Sequence, residues 1–145
     1  MAYIYECKIK IHSVIDNLDE QGLAEGDPEI NIITVPGFLK VAQSTMELSY
    51  VESTEESRTS VDMRLTPQRV ELSRRDSVVC DMIFDESEPC QCIYSIPPYS
   101  FDMSINTKKI RSSLCKSGGD LQLIYSMNVG GQEKRVRMKI SVEVL

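Results

Sequence analysis

Apolar and polar residues alternate along most of this chain. Tyr3, Tyr5, Cys7, Ile9 and Ile11 are interleaved with Ile4, Glu6, Lys8, Lys10 and His12. Leu121, Leu123, Tyr125, Met127 and Val129 alternate with Gln122, Ile124, Ser126 and Asn128. Val136, Met138, Ile140, Val142 and Val144 alternate with Arg135, Arg137, Lys139, Ser141 and Glu143. A strand that turns one face to a core and the other to water gives this period of two. Shorter runs of the same kind fall at 29–40, 44–51, 58–65, 69–74, 77–85, 89–96, 99–106 and 108–115. No segment has a convincing helical period. Residues 16–28 are acidic and carry Gly22, Gly26 and Pro28, and are expected to form a loop with at most one helical turn.

Loop lengths must bring the apolar faces to one side, because a one-residue slip turns every side chain over. A two-residue loop at Gly130-Gly131 pairs Val129 with Gln132 and sets Tyr125 opposite Val136, Leu123 opposite Met138 and Leu121 opposite Ile140. A four-residue loop at 66–69 sets Leu65 opposite Val70 and Met63 opposite Leu72. A loop from Val51 to Arg58 sets Leu48 opposite Val61 and Met46 opposite Met63. A three-residue loop at Arg74-Arg75-Asp76 sets Leu72 opposite Val78 and Val70 opposite Cys80. A turn from Asp85 to Glu88 brings Met82 to face Cys92. About ten short strands joined by sequential hairpins, with no long crossover, predict an all-β fold: an antiparallel up-and-down barrel of roughly eight to ten strands.

The 145 residues suit one domain, 1–145, able to hold a core without disulfides or metal. A net charge of −6 argues against a general binder of nucleic acids or anionic membranes. The N-terminus lacks the basic and apolar regions of a signal peptide, and no apolar run approaches a membrane span. Five cysteines without framework spacing fit reduced thiols, so a cytoplasmic, soluble protein is expected.

The run Ser117-Gly118-Gly119-Asp120-Leu121-Gln122-Leu123-Ile124-Tyr125, followed by Asn128-Val129-Gly130-Gly131 and Arg137-Met138-Lys139-Ile140, resembles the YwiB-like family of uncharacterised bacterial proteins. Pro98-Tyr99-Ser100 and the stretch from Lys8 to Ile15 carry the same resemblance, which spans nearly the whole chain. It implies a calycin-like (lipocalin-like) β-barrel in the bacterial cytoplasm. It brings no catalytic residues and leaves function open.

Several clusters are candidates for chemistry. Cys90 and Cys92 point to one strand face, with Cys80 diagonal to Cys92, but their neighbours Val78, Met82, Phe84, Tyr94 and Ile96 are apolar. Without paired C-x-x-C or Cys/His motifs they read as small buried hydrophobes, with no metal. His12, the one histidine, shares a face with Lys8 and Lys10 and reads as exposed. The carboxylates at 16–29, 52–56 and 85–88 read as solvated loop charge. Arg135, Arg137 and Lys139 make a basic strip on one strand face, and Arg69, Arg74 and Arg75 gather at a hairpin loop; without stacking aromatics these are a surface for a protein partner rather than for nucleic acid. No phosphate loop, G-x-S-x-G, H-E-x-x-H or C-x-x-C occurs, so no enzyme and no cofactor is expected.

Tyr50, Tyr94, Tyr99, Phe101 and Tyr125 fall on the apolar faces, which point inward in a small barrel. Four of them (Tyr94, Tyr99, Phe101 and Tyr125) are the expected lining for a small, partly apolar ligand. The alternative is a filled scaffold barrel that works through its exterior.

Overall fold

In a computed structural model of the protein, residues 2–145 are described. They form ten strands and no helix: β1 (Tyr3–Leu18), β2 (Ala24–Val41), β3 (Met46–Ser53), β4 (Arg58–Leu65), β5 (Val70–Asp76), β6 (Cys80–Phe84), β7 (Cys90–Ile96), β8 (Tyr99–Ser112), β9 (Gly118–Val129) and β10 (Gln132–Val144). All pair antiparallel in the order β6-β5-β4-β3-β2-β1-β10-β9-β8-β7. Strands adjacent in sequence are therefore adjacent in space, and the pairing of β1 with β10 ties the two ends of the chain together. The circle is completed between β6 and β7 by a single bridge, in which Val79 and Ser95 exchange backbone hydrogen bonds of 2.8 and 2.9 Å. The fold is an all-antiparallel, nearly closed ten-stranded barrel.

The alternation read from the sequence is the inside and outside of this barrel. Ile9, Leu39, Leu48, Val61, Met63, Leu72, Phe84, Ile105, Leu121, Leu123 and Ile140 fill the interior, each almost wholly shielded from water. The Gly130-Gly131 hairpin has the expected register, with Tyr125 opposite Val136, Leu123 opposite Met138 and Leu121 opposite Ile140. So does the 66–69 hairpin, with Leu65 opposite Val70 and Met63 opposite Leu72. The Val79–Ser95 bridge lies in the same register as the expected facing of Met82 and Cys92.

Four expectations are corrected. Residues 16–28 are not a loop: β1 runs to Leu18 and β2 starts at Ala24, leaving a short turn in which Asp19 accepts the Gln21 and Leu23 amides through Oδ1 at 2.9 Å. Residues 99–106 and 108–115 are not two strands but chiefly one, β8, with a bulge between Thr107 and Lys109 that lets it bend. Across β3 and β4, Leu48 pairs with Met63 and Tyr50 with Val61, two residues from the expected register. Across β5 and β6, Leu72 pairs with Met82, Val70 with Phe84 and Arg74 with Cys80, four residues away. Both slips are even, so every side chain kept its face. The β5–β6 turn falls at 77–79 rather than at 74–76 because β5 continues through Arg75 to Asp76, whose φ of 85° bends the chain.

Candidate functional site

The strand pairing gathers the turns β1–β2, β3–β4, β5–β6, β7–β8 and β9–β10 at one end of the barrel. Toward that end the interior is hollow, with a cavity of about 480 Å³. Ile11, Ile15, Ile33, Val129 and Val136 give it a fixed apolar wall, and Met82, Met103, Met127 and Met138 a pliable one. Into this apolar space project Tyr50, Glu52, Arg74, Tyr94, Tyr125 and Lys134, with Ser13 and Asn31 on the β1–β2 side.

Arg74 is the central charge. It lies on the inward face of β5, after Val70 and Leu72, so its guanidinium enters the barrel. Among the described residues one carboxylate lies within 4 Å of it: Glu52 Oε1, 3.6 Å from Nη2. That is an ion pair, but too long for a hydrogen bond. Arg74 is the more enclosed partner, its side chain 20% exposed against 34% for Glu52. Burial disfavours its charge, but Glu52, together with Tyr50, Cys80 and Tyr125, outweighs that and holds the guanidinium's pKa above its ordinary value.

Three phenols surround this cation. Burial pushes Tyr125 up to about 12 and raises Tyr50 and Tyr94 as well, while the positive charge of Arg74 works against all three shifts. The Tyr125 ring is held by Phe84, centroid to centroid 4.7 Å at an angle of 56°. Cys92, half-buried on β7 and outside the cavity lining, is raised to about 12 by burial and by Cys90 and Cys80. The three thiols do not join other ligand-bearing side chains into a cluster able to hold a metal ion among the described residues.

Of the four expected lining residues, the cavity therefore contains Tyr94 and Tyr125. Tyr99 and Phe101 do not line it and are 68% and 43% exposed. They share the inward parity of Met103 and Ile105, but they sit at the tip of the β7–β8 hairpin, which extends past the rim of the barrel. The basic strip also changes character. Arg135 and Arg137 are exposed but turn to the buried Asp16 carboxylate at 3.3 and 3.9 Å, and Lys139 lies 4.0 Å from Asp120. Asp16 and Glu52 are thus structural and cavity groups, not solvated loop charges.

Sequence reasoning placed Arg74 in a surface turn and Glu52 in a loop. The signal was present: Val70, Leu72 and Arg74 share one parity, as do Leu48, Tyr50 and Glu52. Charge at the end of an apolar series reads as the end of a strand, although each of these charges continues the inward parity by one step.

A ten-stranded antiparallel barrel with a polar-centred apolar cavity is the class of protein these features define. Residues 9–140 match the family described as a domain of unknown function, DUF1934, and the chain belongs to that family. It is similar to the uncharacterized beta-barrel protein YwiB of Bacillus subtilis (strain 168), with 23% identity over 120 residues, covering 82% of this chain and 84% of the relative. The crystal structure of the ywiB protein from Bacillus subtilis superposes with a TM-score of 0.85 at 22% identity, covering 98% of this chain and 93% of the other. The barrel is thereby shared; the family's function is unknown.

Proposed function

We propose that this chain is a non-catalytic binding protein that takes a small, partly apolar molecule into its barrel, in the manner of calycin or lipocalin barrels. The observation that carries the reading is the cavity of about 480 Å³. Its volume and its apolar wall with a few convergent polar groups match the usual anatomy of a small-molecule site. Tyr94 and Tyr125, together with Tyr50 and Arg74, are the polar contacts available to a guest. The sequence supports a non-catalytic role, since it carries no nucleophile, metal or phosphate-loop motif and its one histidine, His12, lies on the outer face of β1. Five unpaired cysteines support a reducing compartment, the bacterial cytoplasm.

A second reading, an exterior that docks a protein partner, has one observation behind it. β2 pairs with β3 only from Gly37 to Val41, so its edge from Ala24 to Pro36 is free of a ladder partner on that side, and Ile30 and Ile32 beside it are 57% exposed. Free edges of this kind can accept a strand.

Native mass spectrometry of freshly purified protein, set against the denatured mass, tests both. A stoichiometric extra mass released on denaturation is expected from the cavity reading. A bare monomer mass that no small molecule shifts, with co-purifying protein instead, would leave the exterior reading.

A further inference from the structure

We infer that the guest is an organic monoanion with an apolar body, its anionic group received by Arg74 at the polar centre of the cavity. The inference rests on the reading of the cavity as a binding site and adds the chemistry of what binds.

The argument is one of charge and of unused donors. The cavity wall carries two cations, Arg74 and Lys134, and one carboxylate, Glu52, so its formal charge is +1. A cationic guest would meet Arg74, a neutral guest would leave the site's surplus charge uncompensated, and a dianion would be opposed by Glu52. A single negative charge completes the balance. The guanidinium presents five donors in a planar fork. Its one carboxylate neighbour sits at 3.6 Å, outside hydrogen-bonding reach, and with one donor turned to the Cys80 thiol the fork keeps others for contact with an oxyanion.

Tyr50, Tyr94 and Tyr125 line the same cavity as Arg74, and a phenol hydroxyl can donate to the same oxyanion. Apart from Ser13 and Asn31, the remaining wall is made of Ile, Val and four methionines, which suits a flexible or variable apolar body. The more exposed position of Glu52 places the negative charge of the wall toward solvent and the positive charge deeper, so an anionic head enters head-first.

The test uses the full chain and three probes of equal chain length: decanoate, decan-1-ol and decylammonium, each titrated calorimetrically. Decanoate should bind most tightly, and decylammonium should not bind. Arg74→Gln should weaken decanoate by about tenfold or more, the worth of a hydrogen bond to a charged group, and leave decan-1-ol unchanged. Because Arg74→Gln leaves Glu52 unpaired and could unfold, Glu52→Gln is measured beside it. It removes the competing carboxylate and should tighten decanoate several-fold. Decan-1-ol binding as tightly as decanoate, with neither variant altering the order, would overturn the anionic head while keeping the cavity as a binding site. Failure of all three probes to bind folded protein would overturn the cavity reading and this inference together.

Discussion

Tyr125 shows what a single side chain does in this wall. Its ring is 4% exposed, packs on Phe84 and borders the cavity on its other side. Because one flank already faces open space, Tyr125→Ala should cost about 3 kcal/mol, the lower end of the range for a buried aromatic. Tyr125→Phe removes only the hydroxyl and should stay within about 1 kcal/mol of wild type. Urea melts of the two variants check this, and equal losses from both would mean that the hydroxyl, not the ring, holds the position. The ionisable groups beside it set the response to alkali. Tyr125 rises from an ordinary 10.0 to about 12, and Cys92 from 9.0 to about 12, both chiefly through burial. The unfolded chain then gives up these protons first and binds fewer than the native chain, so stability falls as pH rises. This contribution is complete below about 9 and is lost as the pH climbs to about 12. Urea midpoints should decline across that window, and a flat profile there would mean that neither group is buried. Thiol labelling separates the cysteines in the same way. Cys115 is exposed, and Ser117 holds its thiol below the ordinary value, so it should react first, whereas Cys7 and Cys80, buried and raised, should react only after unfolding.

Each strand is held in place by what its neighbours allow it to carry. Gly37 lies where β2, still paired with β1, begins to pair with β3 as well, opposite Cys7 on one side and Tyr50 on the other. A Cβ there would stand 2.5 Å from Ile9 Cδ1 and 2.6 Å from the Ser49 carbonyl oxygen, so glycine is required for space. The isoleucine end can shift, but the backbone oxygen cannot without breaking the ladder. Gly37→Ala should therefore cost about 1–3 kcal/mol, visible as a lower urea midpoint with the β-sheet circular dichroism unchanged. An unchanged midpoint would mean that β2 and β3 do not approach this closely. The same element shows where the alternation pattern stops being informative. Its second half, 34–41, alternates because Val35, Leu39 and Val41 meet a core, and that half was legible. Residues 24–30 are exposed on both faces, so nothing forced alternation and the acidic, glycine-bearing stretch resembled a loop. Registers were legible where the strands stop at the expected turn, as at Gly130-Gly131 and 66–69, and were missed by two or four residues where β3 and β5 run on past it. An even slip leaves every face unchanged, so facing alone could not detect it. The candidate site was half legible. Tyr94 and Tyr125 followed from parity, but Tyr99 and Phe101 needed the height of the rim, and Arg74 and Glu52 interrupt the apolar pattern with charge.

At the scale of the whole barrel the asymmetry lies in its seams. β1 and β10 pair over eleven residues, from Cys7 opposite Val144 to Asn17 opposite Lys134, whereas β6 and β7 share the single Val79–Ser95 bridge. The 85–89 turn joins them covalently and is pinned to β8, with the Ile110 amide donating to Glu86 Oε1 at 2.9 Å, but the two strands stand apart between turn and bridge. This explains why Cys90, Cys92 and Tyr94, on the inward face of β7, are only half-buried while their counterparts Cys80, Met82 and Phe84 on β6 are buried. The parting has a signature in amide exchange. In an antiparallel strand successive amides point to opposite neighbours. The Ser95 amide points across the seam to Val79, so those of Gln91 and Ile93 point the same way and meet no ladder partner, while those of Cys92 and Tyr94 point to β8. By the same rule the Asp81 and Ile83 amides on β6 face the seam, and those of Cys80 and Met82 face β5. Hydrogen exchange followed residue by residue should therefore alternate along both strands. Gln91, Ile93, Asp81 and Ile83 should exchange fast, with Ser95 and Val79 slower than these four and Cys92, Tyr94, Cys80 and Met82 slow. The β1–β10 seam should be protected at every residue from Cys7 to Ile15. Uniform protection along β7 would show a continuous ladder and a fully closed wall, and uniform fast exchange along β7 would show that the strand leaves β8 as well, opening the cavity at its side.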